Sequence, residues 1–176
     1  ELDKDDLSIL VKLELRKFRK PTTIIEGLNS KNHDLKKMTY TLSVIELTDK
    51  TIIDHDPHAE LFDELVNTIN CFDKENKRFN LIFWYFELKL LSLLGFKPNF
   101  EKRDYPDRAI SNPFSGPNSE IILKGLQNNT PDSLKNISVT KKDRKVISEY
   151  LSTYLQYHFD GIMRLKSFEV LKQVMA

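Results

Sequence analysis

Glu87 is the one carboxylate set inside a long apolar run, residues 79–94, and burial in such a run is how enzymes raise a carboxyl pKa for acid or base work. A general acid needs a partner, and no second carboxylate stands at a spacing that places it in the same site. No GxxxxGK[ST] phosphate loop, HExxH zinc motif or GxSxG nucleophile turn occurs. Glu87 by itself reads as a hydrogen-bonded structural residue, and the chain reads as a protein that is not an enzyme. His55 and His58 lie three apart with no third ligand in an adjacent motif, which describes a helix entrance better than a metal site. Cys71 is the only cysteine, so neither an intrachain disulfide nor a multi-cysteine zinc site is expected in these residues. No cofactor is expected.

Binding chemistry has more support. The formal charge is +1, from 27 basic and 26 acidic side chains, which excludes a globally basic nucleic-acid binder but allows a basic face balanced by an acidic one. Residues 54–75 carry Asp54, Asp56, Glu60, Asp63, Glu64, Asp73 and Glu75 against Lys74. Basic clusters stand apart from them: Arg16, Lys17, Arg19 and Lys20, then Lys36 and Lys37, then Lys141, Lys142, Arg144 and Lys145. Lysine and arginine at this density can contact phosphates, although a charge cluster at a helix start is also what a solvated surface looks like.

The elements that must position these groups are mainly helical. Val11, Leu13 and Leu15 alternate with Lys12, Glu14 and Arg16 as in one β-strand, and residues 22–26, stopped by Gly27, fit a second short one. From about Asp34 the period turns helical, with Leu35, Met38, Leu42, Ile45 and Leu47 at helical spacing through about Asp49. A second helix starts at Asp56 and Pro57, with Leu61, Phe62, Leu65, Val66, Ile69 and Phe72 inward. Residues 79–94 are apolar nearly all round, which places that helix at the centre of a bundle, with Phe83, Phe86, Leu90 and Leu93 deeply buried. Gly95 and Pro98 end it.

A loop-rich stretch, residues 98–136, follows, with a short helix at about 120–127. Thr140 and Asp143 have the spacing of a capping box for the last long helix, whose face is Ile147, Tyr150, Leu151, Tyr154, Leu155 and His158. The tyrosines and His158 read as packing residues. Gly161 breaks the helix, and a final short helix carries Met163, Leu165, Phe168, Leu171 and Val174. Apolar stretches are interrupted by Glu87 and Lys89 before the roughly 18 residues of a membrane span, and residues 1–6 are acidic where a secretory signal is basic. The expectation is a cytoplasmic protein with no membrane partner.

Four pieces, in order, resemble the C-terminal helical domain of the bacterial recombination mediator family RecO. Phe86-Glu87-Leu88-Lys89-Leu90-Leu91-Ser92-Leu93-Leu94-Gly95-Phe96-Lys97-Pro98 is similar to that family's FELxLLxLLGYxP stretch. Upstream, Pro57-His58-Ala59-Glu60-Leu61-Phe62 resembles its PHPELF helix start, and residues 38–49 its first long helix. Near the end, Tyr157-His158-Phe159 and Leu165-Lys166-Ser167 resemble its YH and LKS elements.

The resemblance implies a mainly α fold: a helical bundle, residues 33–176, with a short N-terminal β remnant of an OB-fold, residues 1–32. A start at Glu1 with no methionine suggests a piece of a longer chain. The resemblance also implies single-stranded DNA binding, strand annealing, and recombinase loading with RecR on DNA coated by single-strand binding protein. The acidic, phenylalanine-ended tail of that coat protein is a further implied partner. Relatives place arginines just before FEL, where this chain has Trp84-Tyr85, so Arg78 and Lys89 are the nearest basic substitutes for holding the tail, with Trp84 and Tyr85 as the other expected partner contacts. The family's paired CxxC motifs after the central helix are replaced here by residues such as Arg103, Asp104 and Tyr105, so the loop-rich insertion 98–136 lacks zinc cysteines. A helical docking module that binds a partner peptide without touching DNA is the alternative.

Overall fold

The computed structural model describes residues 33–52, 59–75, 77–100, 112–160 and 162. The expected strands, the Arg16 to Lys20 cluster, the helix entrance at His55 to His58 and the final helix after Gly161 lie outside these residues. Among the described residues the secondary structure is helical: α1 (His33–Thr51), α2 (Ala59–Lys74), α3 (Phe79–Leu93), α4 (Ser119–Asn128), a 3-10 turn at Pro131–Leu134 and α5 (Lys141–His158). They fall into two compact units, one ending at Phe79 and the other beginning at Asn80.

In the first unit α1 packs on α2. Period and length of α1 follow the sequence, and of its spaced apolar residues Leu47 is buried and Ile45 half-buried, but the other three are not inward. Leu35, Met38 and Leu42 are 45%, 55% and 40% exposed, whereas Tyr40, Val44 and Leu47 are buried beside Thr39, Ser43, Thr48 and Thr51. The reason is local. Each of those four hydroxyls donates to the carbonyl four residues back, at 2.7 to 2.9 Å, so it enters the core with its hydrogen bond already made. Small satisfied side chains then let α1 lie close to its neighbour, and Tyr40 reaches Phe72 of α2 and Phe79 at ring distances of 5.5 and 5.6 Å. On α2, Leu61, Leu65, Ile69 and Phe72 are buried as their spacing predicts, while Phe62 and Val66 are half-buried at the margin.

In the second unit α3 is buried on nearly every side, including Phe83, Phe86, Leu90 and Leu91. Leu93 is only half-buried, because it sits in the last turn, where the helix emerges. There Gly95, at φ 84°, takes the left-handed position that side-chain-bearing residues avoid. The amide of Phe96 bonds to the carbonyl of Leu91 at 2.7 Å and that of Gly95 to Ser92 at 3.2 Å, the paired pattern of a Schellman turn. The expected helix at 120–127 is α4, which buries Ile122, Leu123 and Leu126. On α5 the buried face is Val146, Ile147, Tyr150, Leu151 and Leu155, with Tyr154 and His158 half-buried.

Candidate nucleic-acid interface

The start of α5 is built around one carboxylate. Asp143 Oδ1 accepts from the Asn118 amide at 2.8 Å, and Oδ2 accepts from the amide and hydroxyl of Thr140 at 3.0 and 2.6 Å. In return the Asp143 amide donates to Thr140 Oγ1 at 3.1 Å, which completes the expected capping box. Gly116 makes the approach of the preceding loop possible: a Cβ there would lie 2.5 Å from Asp143 Oδ1 and 3.1 Å from its Cα. Burial by itself raises the pKa of Asp143, but hydrogen bonds from the Thr140 hydroxyl and from the amides of Asn118, Thr140 and Ser119 outweigh it and hold the group below 3.8.

A depressed carboxylate stabilises the fold above its ordinary pKa, and that contribution is lost as pH falls through the folded-state value. Asp143→Asn should therefore cost about 1–3 kcal/mol at neutral pH. The gap between variant and parent in urea unfolding should shrink below the ordinary value of 3.8. An equal gap at pH 3 and pH 7 would reject the charged cap.

Around this buried anion the helix start exposes Lys141, Lys142, Arg144 and Lys145. Cations at the positive end of a helix are disfavoured by about 0.3–1 kcal/mol each, so the fold does not ask for them there. Arg144 donates to the Val139 carbonyl at 3.2 Å, and Lys145 stands 3.9 Å from Glu149. Lys141 and Lys142 make no ion pair among the described residues. Asp143 is turned inward and used, and Glu149 faces Lys145 alone, which leaves the outward charge of the helix start positive.

The residues proposed for a partner's tail differ in exposure and in what they touch. Trp84 is 2% exposed and donates Nε1–H to Ser148 Oγ at 3.2 Å, so it is a core residue and is closed to a partner as it stands. Arg78 is tied to Glu75 at 2.6 Å. Tyr85 and Lys89 do meet, with Nζ 5.5 Å from the ring centre, on the narrow side of α3 that reaches solvent. In the first unit Lys37 Nζ donates to the Asp73 carbonyl, and Lys36 is half-buried.

Glu87 is 3% exposed, and burial pushes its carboxyl well above 4.5. A raised carboxyl pKa makes the folded state the better proton binder, so stability falls as pH climbs from 4.5 toward the folded value. Glu87→Gln should remove that decline. The stability advantage of the variant, measured by urea unfolding, should widen between pH 4 and pH 8, and a constant difference would mean that the carboxylate has a buried cation or donors that compensate it.

Spacing singled out Tyr150, Tyr154 and His158 but missed the rings that join them from elsewhere in the second unit. Phe96 stacks on His158 at 4.5 Å, Phe159 meets Phe96 edge-on at 5.2 Å, and Phe100 lies 5.9 Å from Tyr150. The signal in the sequence was the run Tyr157-His158-Phe159, though nothing local says what it faces. Among the described residues no three histidine, cysteine or acidic side chains converge as a metal set, and no helix is long and apolar enough to cross a membrane.

Residues 32–103 match the family described as recombination protein O C terminal. The DNA repair protein RecO of Chloroherpeton thalassium is 23% identical over 179 residues, covering 84% of this chain and 68% of that protein. The protein of the same name from Flavobacterium psychrophilum is 24% identical over 166 residues, covering 88% and 68%, and that of Prosthecochloris aestuarii 21% over 184 residues, covering 86% and 70%. No solved structure matches the chain significantly. The matched family segment contains α1 to α3, and the similarity to the RecO DNA repair proteins runs past it on both sides.

Proposed function

We propose that this chain serves DNA repair and homologous recombination as a non-enzymatic, cytoplasmic mediator that binds single-stranded DNA, promotes annealing, and helps load recombinase with RecR on DNA coated by single-strand binding protein. The observation that carries the reading is the similarity to RecO proteins over 84% to 88% of the chain. The exposed cations at the start of α5 agree with it, since phosphate contact explains a placement that helix electrostatics disfavours. The tail of single-strand binding protein, acidic with a terminal aromatic ring, would be held from the Tyr85 and Lys89 side of α3, without the buried Trp84.

A salt titration of oligonucleotide binding tests the proposal directly. Steeply salt-dependent binding and faster annealing of complementary strands support it, while no binding at low salt would leave the peptide-docking alternative.

A further inference from the structure

Phe96 and Tyr157 are large apolar side chains left 37% and 55% exposed, and the half-buried His158 touches both. Its ring lies 4.5 Å from Phe96, 5.0 Å from Tyr157 and 4.7 Å from Tyr154, so two exposed rings are pinned by one imidazole. Burial holds His158 below 6.5, which keeps the ring uncharged at neutral pH. Lys97 is exposed beside Phe96, and α3 leads up to it with a solvent-facing row of Tyr85, Lys89 and Ser92. That row rises about 10 Å over its two helical turns. From residue 80 to residue 99 the sole acidic residue is Glu87, which is buried, and residues 150–159 contain none; Asp160, exposed, is the next along the chain.

We infer that Phe96 and Tyr157, steadied by His158 and flanked by Lys89 and Lys97, form a stacking platform for the bases of single-stranded nucleic acid. The inference rests on the single-strand binding proposed above and adds where the bases go. Every nucleobase has a face that an exposed ring can stack on, and its phosphate needs a cation nearby without a competing carboxylate. A neutral apolar partner would cover the rings but leave Lys89 and Lys97 desolvated and unpaired. An acidic peptide would satisfy the lysines yet offer at most one ring to two.

The test compares the whole chain with the double variant Phe96→Ala, Tyr157→Ala, using fluorescence anisotropy of labelled oligo(dT), the same length of abasic strand, and a phenylalanine-ended acidic peptide. Tyr157 is mostly exposed but Phe96 also packs on His158 and Phe159, so some loss of stability is expected and binding is compared at a temperature where thermal unfolding shows both proteins folded. The double variant should bind oligo(dT) about tenfold or more weakly, with an unchanged salt slope and unchanged affinity for the abasic strand. Lys89→Ala with Lys97→Ala should instead flatten the slope on both strands. If the parent binds oligo(dT) and the ring variant binds it equally well, the platform is overturned and single-strand binding stands. Equal losses on oligo(dT) and abasic strand also overturn it, as does loss of the peptide alone. A parent chain that binds no strand at low salt removes the platform and the proposed DNA contact together.

Discussion

Replacing Phe86 by alanine should lower the unfolding free energy by about 3–5 kcal/mol. Phe86 is wholly buried in α3, with Phe83 and Leu90, one turn away on either side, also closed to solvent, so the lost ring leaves a cavity that its neighbours cannot readily fill. Domains of this size have total stabilities of roughly 5–15 kcal/mol, which makes the substitution a large fraction of the whole. Lys89→Ala on the same helix is the control. It removes a half-buried cation from the ring of Tyr85 and should cost no more than about 1 kcal/mol. Urea midpoints for the two variants should separate clearly, and coincident midpoints would take α3 out of the core.

Replacing Lys141, Lys142, Arg144 and Lys145 together by glutamine should weaken binding to a short single strand at least about a hundredfold at low salt. Four lost phosphate contacts reduce the slope of log affinity against log salt by up to about 3 on single strands. The same change removes cations from the positive end of α5, so stability should hold or rise slightly. A loss of binding therefore cannot be put down to unfolding. The equivalent variant at Arg16, Lys17, Arg19 and Lys20 should lose more, because in the RecO resemblance that cluster adjoins the barrel. Equal losses, or a larger loss at α5, would reverse the ranking and make the helical part the main phosphate contact.

What chemistry was written locally could be read locally. Gly95 ends α3 because a residue without Cβ takes the left-handed turn at lowest cost, and Thr140 with Asp143 caps α5 because three residues separate a hydroxyl from a carboxylate. The burial of Glu87 followed from a helix apolar all round, where rotation about the axis makes no difference. The sequence by itself thus determined the helical class of the described residues, most helix ends, and the similarity to RecO proteins.

The tertiary structure decided which faces and which distant residues meet. On α1 the apolar count favoured Leu35, Met38 and Leu42, yet the hydroxyl residues went inside, since a side chain bonded to its own backbone loses little on burial while its small volume permits close approach. Trp84, by sequence an expected partner contact, is core, with Ser148, 64 residues away, supplying its acceptor. Phe96 and Tyr157 are far apart along the chain and become neighbours through His158 only when α3 and α5 have been folded into one unit. Local pattern encodes hydrogen bonds within a few residues; contacts between rings on separate helices depend on packing that no short window of sequence contains.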